Sequence, residues 1–230
     1  TIQSNRRIDR DKAIIKLKEY FKEEITSCSN VEKQQTTLKQ LFLSIEPSFV
    51  PNSDSEFSWF SKLGGVQFIC CLLSLIIESK QHTEFILSSK PITTLLFEKL
   101  PKFVLEHLEH KQVRLRESLC QLLFHLCALR GVDIWLQLKQ PIFTAIERNF
   151  VRDADEQAAD AEKKKFATNE SLTPSASTST SSVSTQHHDT EGWKALETSF
   201  KCIDAMIRGC GQSILPEITT AVLDLIDRCL

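Results

Sequence analysis

The chain has 230 residues, 41% of them hydrophobic and 25% charged, which is enough for one sizeable domain or one segment of a repeat array. Its net charge of −2 and pI near 6.3 exclude a general electrostatic attraction to nucleic acid or to an anionic membrane, so neither is expected as the partner. Only 6 glycines and few alternating apolar-polar runs exclude a strand-rich fold, and no signal-peptide pattern stands at the front.

A polar arm leads into a helix from about Asp9, where Ile14, Leu17, Phe21 and Ile25 recur at three- and four-residue steps. Lys12, Lys16, Lys18 and Lys22 cover the remaining faces, with Glu19 and Glu23 among them. Lys12 and Lys16 are candidates for holding phosphate or an acidic partner, although interleaved acids favour an ordinary solvated surface. Ser29 and Glu32 have capping-box spacing before a second helix carrying Leu38, Leu41, Phe42 and Ile45, which a turn with Pro47 and Pro51 ends. Ser53 and Glu56 repeat that spacing before Phe57, Phe60 and Leu63, and Gly64-Gly65 is the expected stop. Trp59, with Phe57 and Phe60, either packs between helices or forms an exposed aromatic patch for a partner.

The next helix, Val66 to about Ser79, is apolar almost all round, which places it at the centre of the fold. Its greasiest run, Phe68 to Ile77, is interrupted by Ser74 and falls short of the roughly 20 residues that span a bilayer. No membrane span is therefore expected.

Residues 95–131 read as two amphipathic helices joined by a tight polar turn. Leu96, Leu100, Phe103, Leu105 and Leu108 mark the apolar face of the first. Pro101 lies inside that pattern, where it removes one backbone hydrogen bond and crowds the carbonyl four residues back, so the helix bends or restarts there. Val113, Leu115, Leu119, Leu122, Leu123, Leu126 and Leu129 give the second helix a face wide enough for several neighbours, and Gly131 fits a left-handed cap. Arg114 and Arg116 near its start are candidates for meeting a partner.

Pro141 in LKQPIFTAI and Pro216 in ILPEITTAV repeat the punctuation of Pro101. Glu109, Val113, Arg114 and Arg130-Gly131 correspond in turn to Asp189, Trp193, Lys194 and Arg208-Gly209. Pro101 and Pro141 are 40 residues apart. Pro141 and Pro216 are 75 apart, and removing an insert of about 35 residues restores a period near 40.

These residues resemble the HEAT-repeat family, with its proline in the first helix, its acidic residue near the turn and its apolar-basic pair opening the second helix. The resemblance covers residues 91–230, with Glu109 where the family prefers Asp and with Arg114 and Lys194 about one position early. It implies an all-α fold, a right-handed α-solenoid of stacked antiparallel helix pairs of HEAT/armadillo type. Helical repeats would occupy 1–161 and 190–230, on either side of an insert at 162–189. The implied role is a non-enzymatic protein-protein interaction scaffold or adaptor of a larger intracellular complex, with Lys194 joining the candidate binding residues. Alternatives are an assembly factor or chaperone-like cofactor for a large cytoplasmic complex, or a nuclear-transport receptor-like binder. Armadillo import receptors display Trp and Asn ladders, however, and QVRLRESLCQLLFHLC has neither.

After Phe150 the composition shifts to a charged extension of helical character and then to a Ser/Thr run with little to bury, so disorder is expected over 162–189. Such a segment serves either as a phosphorylatable or partner-binding tether or as an expanded loop whose closure costs little. The end at Cys229-Leu230 follows a first-type helix with no partner helix, and the unpaired face predicts weak self-association or a longer chain.

Eight cysteines lie mostly inside apolar helical segments without a CxxC pair, the pattern of reduced thiols in a protein of the cytoplasm or nucleus. Gly209-Cys210-Gly211 lacks the later glycine, the strand and the acidic residue of a dinucleotide fingerprint, and Walker, nucleophile-elbow, HExxH and kinase patterns are absent. His107, His110, Cys120, His125 and Cys127 are formally a soft zinc set, but helical Cys and His on apolar faces ordinarily pack, and no orienting carboxylate accompanies them. No catalytic residue, cofactor or metal is expected.

Overall fold

The computed structural model describes residues 4, 6–49, 58–80, 82–169 and 191–229. The expectations resting on Pro51, Ser53, Glu56, Phe57, Asp189 and the Ser/Thr run lie outside these residues. Among the described residues every regular element is helical and no strand occurs. α1 (Arg7–Tyr20) runs on through a π turn, Phe21–Thr26, and buries Leu17, Phe21 and Ile25 as their spacing requires. α2 (Val31–Ile45) buries Leu38, Phe42 and Ile45. Its cap is Asn30 rather than Ser29: the Asn30 side chain accepts from the Lys33 N–H at 2.9 Å, the bond an N-cap supplies to the third helical residue.

α3 (Ser58–Ser79) passes straight through Gly64-Gly65, the expected stop. The reason is space. A Cβ on Gly65 would lie 2.7 Å from Ser48 Cβ and 3.2 Å from the Phe49 ring, so glycine here permits close approach to the 3-10 turn Glu46–Phe49. The helix ends instead at Lys80, whose φ is 53° and whose N–H bonds the Ile76 carbonyl at 3.0 Å. Because the helix continues, Trp59–Ser79 is long and apolar enough to cross a membrane by length and composition, where the sequence reading saw only the shorter run from Phe68. Half of that stretch is buried inside the fold, and Leu63, Val66, Ile69, Leu72, Leu73 and Ile76 are fully covered, as in the core helix of a packed protein.

The short α4 (Thr83–Ser88) leads to α5 (Lys90–Thr94), a π turn at Leu95–Lys99, and α6 (Leu100–His107). Pro101 thus sits just past a widened turn, which accommodates both its ring and its missing N–H. α7 (Val113–Arg130) ends at Gly131, which has φ 67° and donates its N–H to the Cys127 carbonyl. α8 (Val132–Asn169) carries Pro141 in its interior and continues past 162, the expected start of the insert. α9 (Glu191–Cys210), a 3-10 turn at Gly211–Glu217 and α10 (Thr220–Cys229) follow.

The correspondence of Gly209 with Gly131 fails in detail. Gly209 lies within α9, where a Cβ would collide with the Phe124 carbonyl and lie 2.7 Å from Cys127 Cβ, whereas Gly211 carries the positive φ of 58°. One glycine packs and the other turns the chain.

Contacts sort the long helices into two sets. α7 packs between α3 and α9. Along α3, Lys62 meets His107 just before α7 at 3.0 Å, and Cys70 donates to the Ser118 carbonyl within it at 3.8 Å. Along α9, Thr198 meets Arg116, Cys202 meets Cys120 and Arg208 lies over Phe124. Both progressions ascend together, so the three helices run parallel. On the other side α6 and its flanks meet α8: Gln137 donates to the carbonyl of Phe97 in the π turn before α6, and Asn149 to Glu109 in the turn after it, each across 40 residues of sequence. That offset equals the spacing of Pro101 and Pro141. A single buried cluster extends from Phe21 to Leu225, with Trp135 among its fully covered side chains.

Candidate interaction surface

Parallel packing brings the starts of α3, α7 and α9 towards one edge of the molecule, where helix N-termini carry partial positive charge. Lys62, Arg114 and Lys194 lie near those starts, Arg114 and Lys194 exposed. Beside the two exposed bases are exposed apolar side chains, Val113 at 46% and Trp193 at 57%. The pairs Val113-Arg114 and Trp193-Lys194 are 80 residues apart, so the apolar-basic signature of the sequence recurs on neighbouring parallel helices.

Arg10 of α1 adds to this edge from beneath. It is 3% exposed, its Nη1 donates to the Ser4 carbonyl at 2.6 Å, its Cζ lies 5.8 Å from the centre of the Phe60 ring, and its Nε has no partner among the described residues. Burial first, and then the charge of Arg114, push its pKa down from the ordinary arginine value. Lys12 and Lys16 are exposed on the same helix.

Arg116 requires a correction as a surface candidate. It is 4% exposed and turned inward, its Nε donating to Thr198 Oγ1 at 2.8 Å and its Nη1 to the His110 and Lys111 carbonyls at 2.6 and 3.4 Å. It ties the turn before α7 to α9. The signal was present in the helical period: Arg116 stands three and four residues before Leu119 and Cys120, both buried, and so shares their face. Trp59 is half-buried, stacked on Phe60 with centroids 3.7 Å apart and packed against the core, which is the packing alternative rather than an open aromatic patch.

The five residues of the formal zinc set are not brought to one point; among the described residues no group of three or more His, Cys, Asp or Glu side chains is placed to hold a metal. His107 Nε2 accepts from the Lys62 ammonium at 3.0 Å, which leaves Nδ1–H to donate to the Phe103 carbonyl at 2.9 Å. Burial, then the Lys62 charge, push His107 down and favour this neutral ring. His110 Nδ1 accepts from the Gln112 N–H at 3.1 Å, and Cys120 faces Cys202.

Between the α5–α6 segment and α8 lie two open grooves of about 440 and 350 Å³. In the larger, Arg130 lies 4.7 Å from the centre of the Phe97 ring and pairs with Asp133 at 3.2 Å. The smaller is bordered by Leu105, Glu109, Pro141 and Arg148, and the last of these pairs with Glu109. Sequence reasoning named neither groove, because each depends on which helices become neighbours. Compared with known proteins, the chain matches no family model, no curated protein and no solved structure, so its likeness to HEAT repeats rests on its own residues and their spacing.

Proposed function

We propose that this chain is a non-enzymatic protein-interaction scaffold or adaptor of a larger intracellular complex, built as a right-handed HEAT-like α-solenoid of antiparallel helix pairs. The observation that carries the reading is the recurrence of an exposed apolar-basic pair, Val113-Arg114 and Trp193-Lys194, at the starts of two parallel, adjacent helices. Support for the solenoid comes from the 40-residue offset between the α6 segment and α8 and from the 82-residue offset between Arg116 and Thr198, which falls to about 47 once the insert of about 35 residues is removed, each close to one repeat period. Arrays of this kind present long surfaces that hold partners in relative position. Trp and Arg are the side chains that most often dominate such contacts, and the basic edge fits a partner segment that mixes acidic and apolar residues.

The test is affinity purification from native cytosol with the intact chain and with an Arg114→Glu, Trp193→Ala, Lys194→Glu variant, after circular dichroism has shown equal folding. Stoichiometric recovery of one assembly by the intact chain and its loss with the variant is the expected result. Undiminished recovery with the variant removes the edge from the reading. A turnover abolished by one polar substitution would overturn the non-enzymatic reading itself.

A further inference from the structure

We propose that Cys120 and Cys202 are a reversible modification site, a dithiol that a hydroperoxide converts into a disulfide locking α7 to α9. The inference rests on packing and is independent of the scaffold reading. The two Sγ atoms lie 3.4 Å apart across the helix contact, although the residues are 82 apart in sequence. A disulfide needs about 2.0 Å between sulfurs and backbones within roughly 7 Å. Packed helix axes ordinarily stand 8–10 Å apart, and here Gly209 lets α9 approach so closely that a Cβ at that position would collide with the backbone of α7. Rotation about the cysteine side-chain bonds has then to close the sulfur separation from 3.4 Å to about 2.0 Å.

A second thiol pair on the same seam, Cys127 and Cys210, provides an internal comparison. Burial pushes both of those thiols up, Cys127 strongly. The hydrogen bond shared with Cys202, in which either sulfur can donate, and the charge of Lys201 instead hold Cys120 down against its burial. The thiolate is the attacking form, and Cys120, at 8% exposure against 0% for Cys202, is also the more accessible of its pair. Being the more accessible, Cys120 is assigned as the first sulfur to react.

Its thiolate attacks one oxygen of the hydroperoxide, the O–O bond breaks, and a sulfenic acid forms while the released hydroxide or alkoxide takes up the proton Cys120 lost. Cys202 then attacks the sulfenic sulfur. The S–S bond forms, the S–O bond breaks, and the hydroxyl leaves as water with the Cys202 proton. Two thiols have lost two electrons; hydrogen peroxide has become two waters. A dithiol reductant reverses the change by exchange. The closed loop contains the whole of α8 and residues 170–190, so opening of the α7–α9 seam is blocked in the oxidised chain.

The experiment exposes the full chain to hydrogen peroxide, blocks remaining thiols with iodoacetamide and digests with trypsin without reduction. Cleavage after Arg116, Arg130, Lys201 and Arg208 leaves Cys120 and Cys127 in 117–130, Cys202 in 202–208 and Cys210 in 209–228. The expected product is 117–130 linked to 202–208, with fragmentation placing the bond at Cys120. It disappears in Cys202→Ser and in Cys120→Ala, and the wild type gains a few degrees of melting temperature that dithiothreitol removes. Linkage to 209–228 instead, Cys120 sulfinic acid beside alkylated Cys202, or no linkage at all in the folded wild type would each overturn the proposal.

Discussion

The α7–α9 seam and the α6–α8 contact both join parallel helices, yet they are filled differently. Across the seam Arg116, Thr198, Cys120 and Cys202 are all under 9% exposed, and Gly209 removes the last side chain that could hold the backbones apart. Across α6–α8 the apolar side chains Leu100, Phe103, Ile142 and Ile146 are buried as well, but of the polar groups that bridge the contact Asn149 is buried while Glu109 and Arg148 pair near solvent, and two open grooves remain. Desolvated contacts stabilise a fold far more than exposed, screened charges do. The polar contacts of the seam should therefore contribute more stability than those of the α6–α8 side, whose polar rim is expected to tolerate change.

The largest test of that contrast is Leu122→Asp. Leu122 is fully covered on α7, so the substitution both removes apolar contacts and buries a carboxylate, at a cost of about 4 kcal/mol or more. Urea unfolding that left the midpoint near wild type would break the packing account. Arg116→Met keeps the apolar stem but strips the hydrogen bonds to Thr198 and to the turn carbonyls, and the expected loss is about 2–3 kcal/mol. A chain as stable as wild type would show that these bonds contribute nothing net.

Much of this arrangement was legible in the residues, and the failures have a common cause. Three- and four-residue spacing identified the buried sides of α1, α2 and α7, because a helix face is a local property, although Val113, placed on the packing face of α7, is 46% exposed at its first turn. The two glycine readings failed because Gly64-Gly65 and Gly209 are defined by what approaches them, Ser48 in one case and Phe124 in the other. Arg116 was misplaced for a related reason: its charge pointed outward by residue type while its helical phase pointed inward, and the nearby carbonyls and Thr198 decided the matter. The candidate edge was half legible. Val113-Arg114 and Trp193-Lys194 could be matched in sequence, but their adjacency follows from the parallel course of α7 and α9.

Histidines sharpen the comparison through pH. Burial pushes His125 on α7 and His107 at the end of α6 below their ordinary value of 6.5. As pH falls through that value the unfolded chain takes up protons that the folded chain refuses, so stability falls with pH and levels off once the folded rings also titrate. Unfolding measured from pH 7.5 down to 5 should show this decline, and His125→Gln should flatten it in part. A profile that His125→Gln leaves unchanged would remove that residue from the linkage.

The smallest effect expected is that of Arg148→Ala. The Arg148 side chain is 65% exposed, and an ion pair in that setting contributes little because water and salt already screen it, so the loss should be about 0.5 kcal/mol or less. Asn149 still donates to Glu109 at 3.0 Å and to the Ala145 carbonyl at 2.8 Å, so the buried part of the contact survives the substitution. Chemical denaturation in low and high salt separates the possibilities. A small loss that vanishes in high salt fits a solvated pair beside an open groove, whereas a salt-independent loss of 2 kcal/mol or more would mean that α6–α8 is held as firmly as the seam. In that case the division of the molecule into a rigid side and a tolerant side would have to be abandoned.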